Sequence, residues 1–168
     1  MFKLATMVPA THHDMTTMSV LTTPLKQHHH HCDDLFAIAE AEAAAGCWPA
    51  AAKHLGAFAS ELKEHFSTEE ELLFPAFENQ NGMRHGPTMM MRLEHAQMRE
   101  LVEQMQAALT ATNGDAFAGA AETLLIMMQQ HNIKEENILY PMCDQSLAAQ
   151  IDSLGAQIQD RLAPAANA

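Results

Sequence analysis

Two stretches of this chain carry the same eleven-residue pattern. His65-Phe-Ser-Thr-Glu69-Glu-Glu-Leu-Leu-Phe-Pro75 and His131-Asn-Ile-Lys-Glu135-Glu-Asn-Ile-Leu-Tyr-Pro141 both read H-x-x-x-E-E-x-[LI]-L-[FY]-P. On an α-helix, residues i and i+4 share a face, so each copy aims an imidazole and a carboxylate the same way. A fold that accepts both copies must let the two polar faces meet water, or let them meet each other.

The surrounding sequence favours the second outcome. Leu25 to Ala45 has no breaker, and Gly46-Cys47-Trp48-Pro49 supplies a helix-ending Gly and a helix-starting Pro. A second helix is expected from Pro49 to Phe77, a third from Thr88 to Ala111 after the loop Asn79–Pro87, and a fourth to about Cys143. The turn Thr112-Asn113-Gly114-Asp115 separates the last two, with Asp115 expected to cap. Aromatics are only 5% of the residues while Ala, Leu and Met dominate the apolar share, a mixture for packed helices.

The expected fold is therefore all-α, an up-down-up-down four-helix bundle. Residues 25–145 form its domain, residues 1–24 a flexible N-terminal lead-in, and residues 146–168 a short C-terminal helix and fraying tail.

Stripes at bundle spacing locate the core. Phe58, Leu62, His65, Glu69, Leu72 and Ala76 step by four and three, as do Met91, His95, Met98, Val102, Met105 and Leu109. Leu124, Met128, His131, Glu135, Ile138 and Met142 repeat the pattern on the fourth helix. The methionines on these stripes read as core packing. Each stripe is apolar except at one level, and an unpaired buried polar group costs about 1–3 kcal/mol. Shared coordination of a cation removes that cost at all five intrusions together.

The levels agree across helices. His65 follows the first turn by about 18 residues, and His95 and His131 each lie about 18 from the third, roughly 27 Å along the axis. His28 is about 19 from the first turn. In the run His28 to His31, at most two rings can face the core; His28 and His31 are the candidates, and His29 and His30 are expected in solvent. Glu70, Glu71 and Glu136 are expected at the surface.

A duplicated His–Glu pair facing itself suits a dinuclear centre with Glu69 and Glu135 as bridging carboxylates. Imidazole and carboxylate without thiolate suit non-haem iron, with manganese or zinc as poorer fits. No H-E-x-x-H is present, so a zinc-peptidase site has no support. A formal charge of −12 argues against nucleic-acid and anionic-membrane partners, and no apolar run approaches bilayer length. Cys32, Cys47 and Cys143 lack CxxC spacing and read as reduced thiols, with Cys32 and Cys143 close enough to consider a redox role. A soluble, cytoplasmic protein is expected.

On these motifs, from about Leu25 to Asp144, the chain resembles the hemerythrin family, whose domains are also described as HHE cation-binding domains. The resemblance implies two non-haem iron ions, oxo- or hydroxo-bridged, held by all four helices. It places His65 and Glu69, His95, and His131 on family ligand positions. Glu135 stands one residue before the Asp of the oxygen carriers. On helix 1 the carriers' His aligns with Cys32, the repair-of-iron-centres proteins' His with His28, and His31 is a third choice. Arg99 stands where carriers have a second helix 3 His, and residues 1–24 lack the Cys that repair proteins usually carry in an added N-terminal segment.

Three functions follow as expectations. The first is a di-iron protein that takes dioxygen, nitric oxide or peroxide for sensing, storage or detoxification. The second is an iron donor for repair of iron–sulfur clusters in protein partners. The third is a non-catalytic, metal-responsive interaction module. No nucleophile–base pair is legible, so metal binding is favoured over conventional enzyme chemistry.

Overall fold

The computed structural model describes residues 21–163. The flexible lead-in expected for residues 1–24 lies outside these, apart from its last four residues, and so does most of the fraying tail. Four helical rods run up and down: α1 (Thr23–Ala44), α2 (Trp48–Thr68) continuing into α3 (Phe74–Asn81), α4 (Pro87–Thr110), and α5 (Gly114–Lys134) continuing into α6 (Tyr140–Ser146). A fifth helix, α7 (Ile151–Arg161), packs near one end, and no strand occurs among the described residues. Neighbouring pairs α1–α2, α2–α4, α4–α5 and α5–α1 close the ring. No helix among the described residues is long and apolar enough to cross a membrane.

Local chemistry sets the rod ends. Gly46 takes φ +73° between α1 and α2, and its neighbour Cys47 donates back to Glu42 O at 2.9 Å. Pro24, expected to end the lead-in, instead sits in the first turn of α1, where its missing N–H costs nothing. At the α4–α5 turn the cap is Asn113 rather than Asp115: the Asn113 side chain accepts from Ala116 N at 3.0 Å.

Two π turns interrupt the long rods, at Glu69–Leu73 and Glu135–Leu139. Phe74 N–H donates to Glu69 O and Tyr140 N–H to Glu135 O, each five residues back. The cause lies one residue on. Pro75 and Pro141 have no N–H, and in an α-helix their rings would strike the carbonyl four residues back; a widened turn moves that carbonyl aside. The rods continue past both prolines as α3 and α6.

The extra residue shifts the core register. Leu73, Phe77, Leu139 and Cys143 are buried where the uninterrupted spacing expects Leu72, Ala76, Ile138 and Met142; Ile138 is 56% exposed. The bundle core is split into two apolar clusters. Phe36, Phe58, Phe66, Met98, Met105 and Leu124 belong to one, and Leu25, Leu73, Phe74, Tyr140 and Ile158 to the other. Cys32 belongs to the first cluster and Cys143 to the second, and both are free thiols, so they form no pair.

Candidate metal centre

Between the two clusters the bundle buries a polar layer. His29 from α1, His65 from α2, His95 from α4 and His131 from α5 are joined by Glu69 and Glu135, the first residues of the two π turns; none is more than 5% exposed. Glu69, His95, His131 and Glu135 each bring one donor atom into a group whose members lie within 4.8 Å of one another. His29, His65 and Glu135 form a second such group. Glu135 belongs to both.

The separations are those of a coordination shell. Ligands about 2.1 Å from a metal stand roughly 3 Å apart along the edge of their polyhedron. His131 Nε2 lies 3.1 Å from Glu135 Oε1 and 3.1 Å from His95 Nε2, while His95 Nε2 lies 3.3 Å from Glu69 Oε2. On the other side His29 Nε2 is 3.2 Å from Glu135 Oε2, and His65 Nε2 is 3.5 Å from Glu69 Oε2.

A cation fits this donor set. Both ring nitrogens of His65, Glu69 Oε2 and Glu135 Oε1 are buried and have no hydrogen-bond partner among the described residues. Leaving such atoms unpaired in an apolar interior is expensive; a shared cation would satisfy His65 Nε2 and the two carboxylate oxygens together, and would leave His65 Nδ1 as it is.

The outward nitrogens are mostly braced. His95 Nδ1 lies 2.7 Å from Glu70 Oε1, and both Glu70 oxygens accept from the Arg99 guanidinium at 3.1 Å. His131 Nδ1 lies 2.8 Å from Glu94 Oε2, whose other oxygen pairs with Lys134. His29 Nδ1 lies 2.8 Å from Glu136 Oε1. Such carboxylate partners fix the ring and raise its basicity toward a metal. His65 has none. Phe66 and Phe74 stack on His95, with ring centroids at 3.8 Å and 5.8 Å, and clamp it further.

Charge follows this geometry. Burial pushes the Glu70 carboxyl up, but His95 and Arg99 outweigh it and hold it at about 2. Burial likewise opposes Glu135, yet His131 and His29 hold it well below the carboxylate range. Glu69 moves the other way, raised by burial and by the Glu135 charge beside it. His131 is raised to about 9, the Glu135, Glu69 and Glu94 carboxylates overcoming the burial that lowers it. His65 is lowered well below its usual value by burial, then by His29.

Of the seven residues singled out from sequence, the structure brings His65, Glu69, His95, His131 and Glu135 together. It leaves out His28 and His31. His31 is exposed, and His28, though buried, turns to Glu61, with Nε2 and Oε2 3.1 Å apart. His29, expected in solvent, takes the α1 position. A signal for it was present: Leu25, His29, Cys32, Phe36, Ala39 and Ala43 step by four and three, as on the other helices. His29 also stands eighteen residues before Cys47 and His65 eighteen after it, while His95 and His131 flank Asn113 by the same count. Glu70 and Glu136, expected to be plain surface charges, turn inward to the rings.

Tyr140 escaped the sequence reading altogether. Its hydroxyl donates to Glu69 Oε1 at 2.7 Å and lies 3.2 Å from Glu135 Oε2. The only hint was the Phe-to-Tyr difference between the two motif copies.

Comparison with known proteins agrees with this arrangement. The chain is 33% identical over 106 residues to the iron-sulfur cluster repair protein YtfE of Edwardsiella ictaluri (strain 93-146), a match covering 57% of this chain and 48% of that protein. The chain thus spans about half the length of that curated relative. No solved structure gives a significant match. The family model for the hemerythrin HHE cation binding domain matches residues 20–143, most of the rods and every donor of the buried layer, and the chain belongs to that family.

Proposed function

We propose that this protein binds two iron ions, held unequally, and that the less firmly held one is where a small ligand or a recipient reaches the metal. Sharing of Glu135 between two donor groups carries the dinuclear reading. Glu69, near His65 on one side and His95 on the other, would bridge with it. Imidazole and carboxylate donors without thiolate favour iron over zinc.

The inequality comes from the braces. His95 and His131 are fixed by carboxylates that Arg99 and Lys134 hold in turn, whereas His65 Nδ1 has no partner among the described residues. Losing an outer partner typically costs 10- to 100-fold in metal affinity. The His29/His65 ion is therefore the exchangeable one. When bound, iron there supplies Lewis acidity and one-electron chemistry toward dioxygen, nitric oxide or peroxide.

A second reading, favoured by the relative's name, is that the exchangeable iron is cargo for damaged iron–sulfur clusters in partner proteins. We place either activity in the cytoplasm, where free Cys32, Cys47 and Cys143 stay reduced.

Anaerobic purification with metal counting by mass spectrometry, followed by optical spectra before and after air, tests the first reading. Two irons per chain, one removed faster by chelator, and new near-ultraviolet bands after air are expected, with metal lost in His131→Ala. A single zinc or no metal overturns it. Restoration of the cluster in an apo-ferredoxin by iron-loaded protein, matched by loss of one iron per chain, decides for the second reading.

A further inference from the structure

His28 is the buried histidine that the inner layer leaves out. One face of its ring stacks on His65, with centroids 5.4 Å apart at 13°. Its Nδ1 lies 3.6 Å from Cys32 Sγ, and its Nε2 lies 3.1 Å from Glu61 Oε2. The same ring lines a surface cavity of about 370 Å³, together with His31, Glu61, Gln27, Gln159 and Leu162. His28 thus touches both the cavity and the unbraced side of the centre.

We propose that His28, Glu61 and His31 form an outer site for a divalent transition-metal ion, from which iron passes to the His29/His65 side. The inference rests on the dinuclear reading for its destination only.

The donor chemistry favours a cation. His28 Nε2 and Glu61 Oε2 are hydrogen-bonded at 3.1 Å, which sets an imidazole donor and a carboxylate donor face to face at a separation that a cation replacing the shared proton would bridge. Among the described residues that line it, Glu61 alone carries a formal charge, and the whole chain stands at −12. The cavity, about 370 Å³ and open to solvent, is large enough for an ion that keeps part of its hydration shell. His31 lies three residues from His28 on the same helix, with ring centroids 5.7 Å apart, so rotation of its exposed side chain brings in a third donor. From there the next imidazole inward is His65.

Anaerobic Co(II) titration of the full chain, followed by optical bands, and stopped-flow uptake of Fe(II) by metal-free protein test this. Wild type is expected to bind one Co(II) more weakly, beyond those of the centre. Glu61→Gln and His31→Ala are chosen because both side chains reach solvent. Each is expected to weaken that extra ion by about 10-fold or more and to slow Fe(II) uptake, while the inner centre fills to the same final extent as in wild type. Absence of the extra ion in wild type overturns the site, and an extra ion with uptake rates equal in all three proteins overturns the transfer. The inner-layer variant Glu135→Gln separates this from the dinuclear reading: it is expected to lose the centre's metal and keep the outer ion. A wild type that fills only the outer site overturns the dinuclear reading and leaves this one standing.

Discussion

The Tyr140 hydroxyl crosses the bundle to Glu69, donating to Oε1 at 2.7 Å from one copy of the repeated motif to the other. Phe74 holds the matching place in the first copy and stacks on His95 instead. The two halves of the centre are thus built from one pattern but finished differently.

Replacing Tyr140 by Phe removes a donor from a fully buried carboxylate. Tyr140→Phe is expected to destabilise the metal-free protein by about 1–3 kcal/mol, read by urea unfolding. Metal-loaded protein should lose less, because the ion takes over the Glu69 oxygens. Equal unfolding midpoints for metal-free wild type and variant would remove this role from Tyr140.

In the proposed two-ion centre the braces on His95 and His131 would act on one ion. Glu70→Gln and Glu94→Gln are each expected to lower the affinity of the more firmly held iron by about 10- to 100-fold in chelator competition, and to leave the other nearly untouched. If both ions weaken alike, the asymmetry argued from His65 is wrong.

Cys32 gives the alkaline limb of stability a definite sign. Burial, then the Glu61 and Asp33 charges, push its thiol up to about 12 from a usual value near 9.0. The folded chain therefore keeps this proton to higher pH than the unfolded chain does. Its contribution is complete below pH 9 and is lost as pH rises through about 12. Unfolding of metal-free Cys32→Ala should depend less on pH between 9 and 11 than wild type; identical slopes would contradict the buried, protonated thiol.

Asn113 ties the α4–α5 turn far from the polar layer. Asn113→Ala is expected to cost about 1 kcal/mol through loss of the Ala116 cap, with metal content unchanged. A fall in bound iron would mean that the turn also sets the height of His95 and His131.

Much of this protein was legible without coordinates. Spacing by four and three placed His65, Glu69, His95, His131 and Glu135 at one level, because rise per residue and turn position fix height along a helix. The same rule on α1 leads to His29, since a neighbour such as His28 is turned about 100° away.

What tertiary structure alone decided is how each helix is rotated and what lies across from it. The π turns, one residue wider than an α turn, exchanged Leu72 for Leu73 and Ile138 for Leu139 in the core. The pairings of Tyr140 with Glu69, Glu70 with His95, and His28 with Glu61 join residues on different rods. One helix's periodicity describes only that helix, so those partners emerge when the rods pack. Residue types and heights were therefore written in the chain, and the unequal bracing of the His/Glu layer was written in the packing.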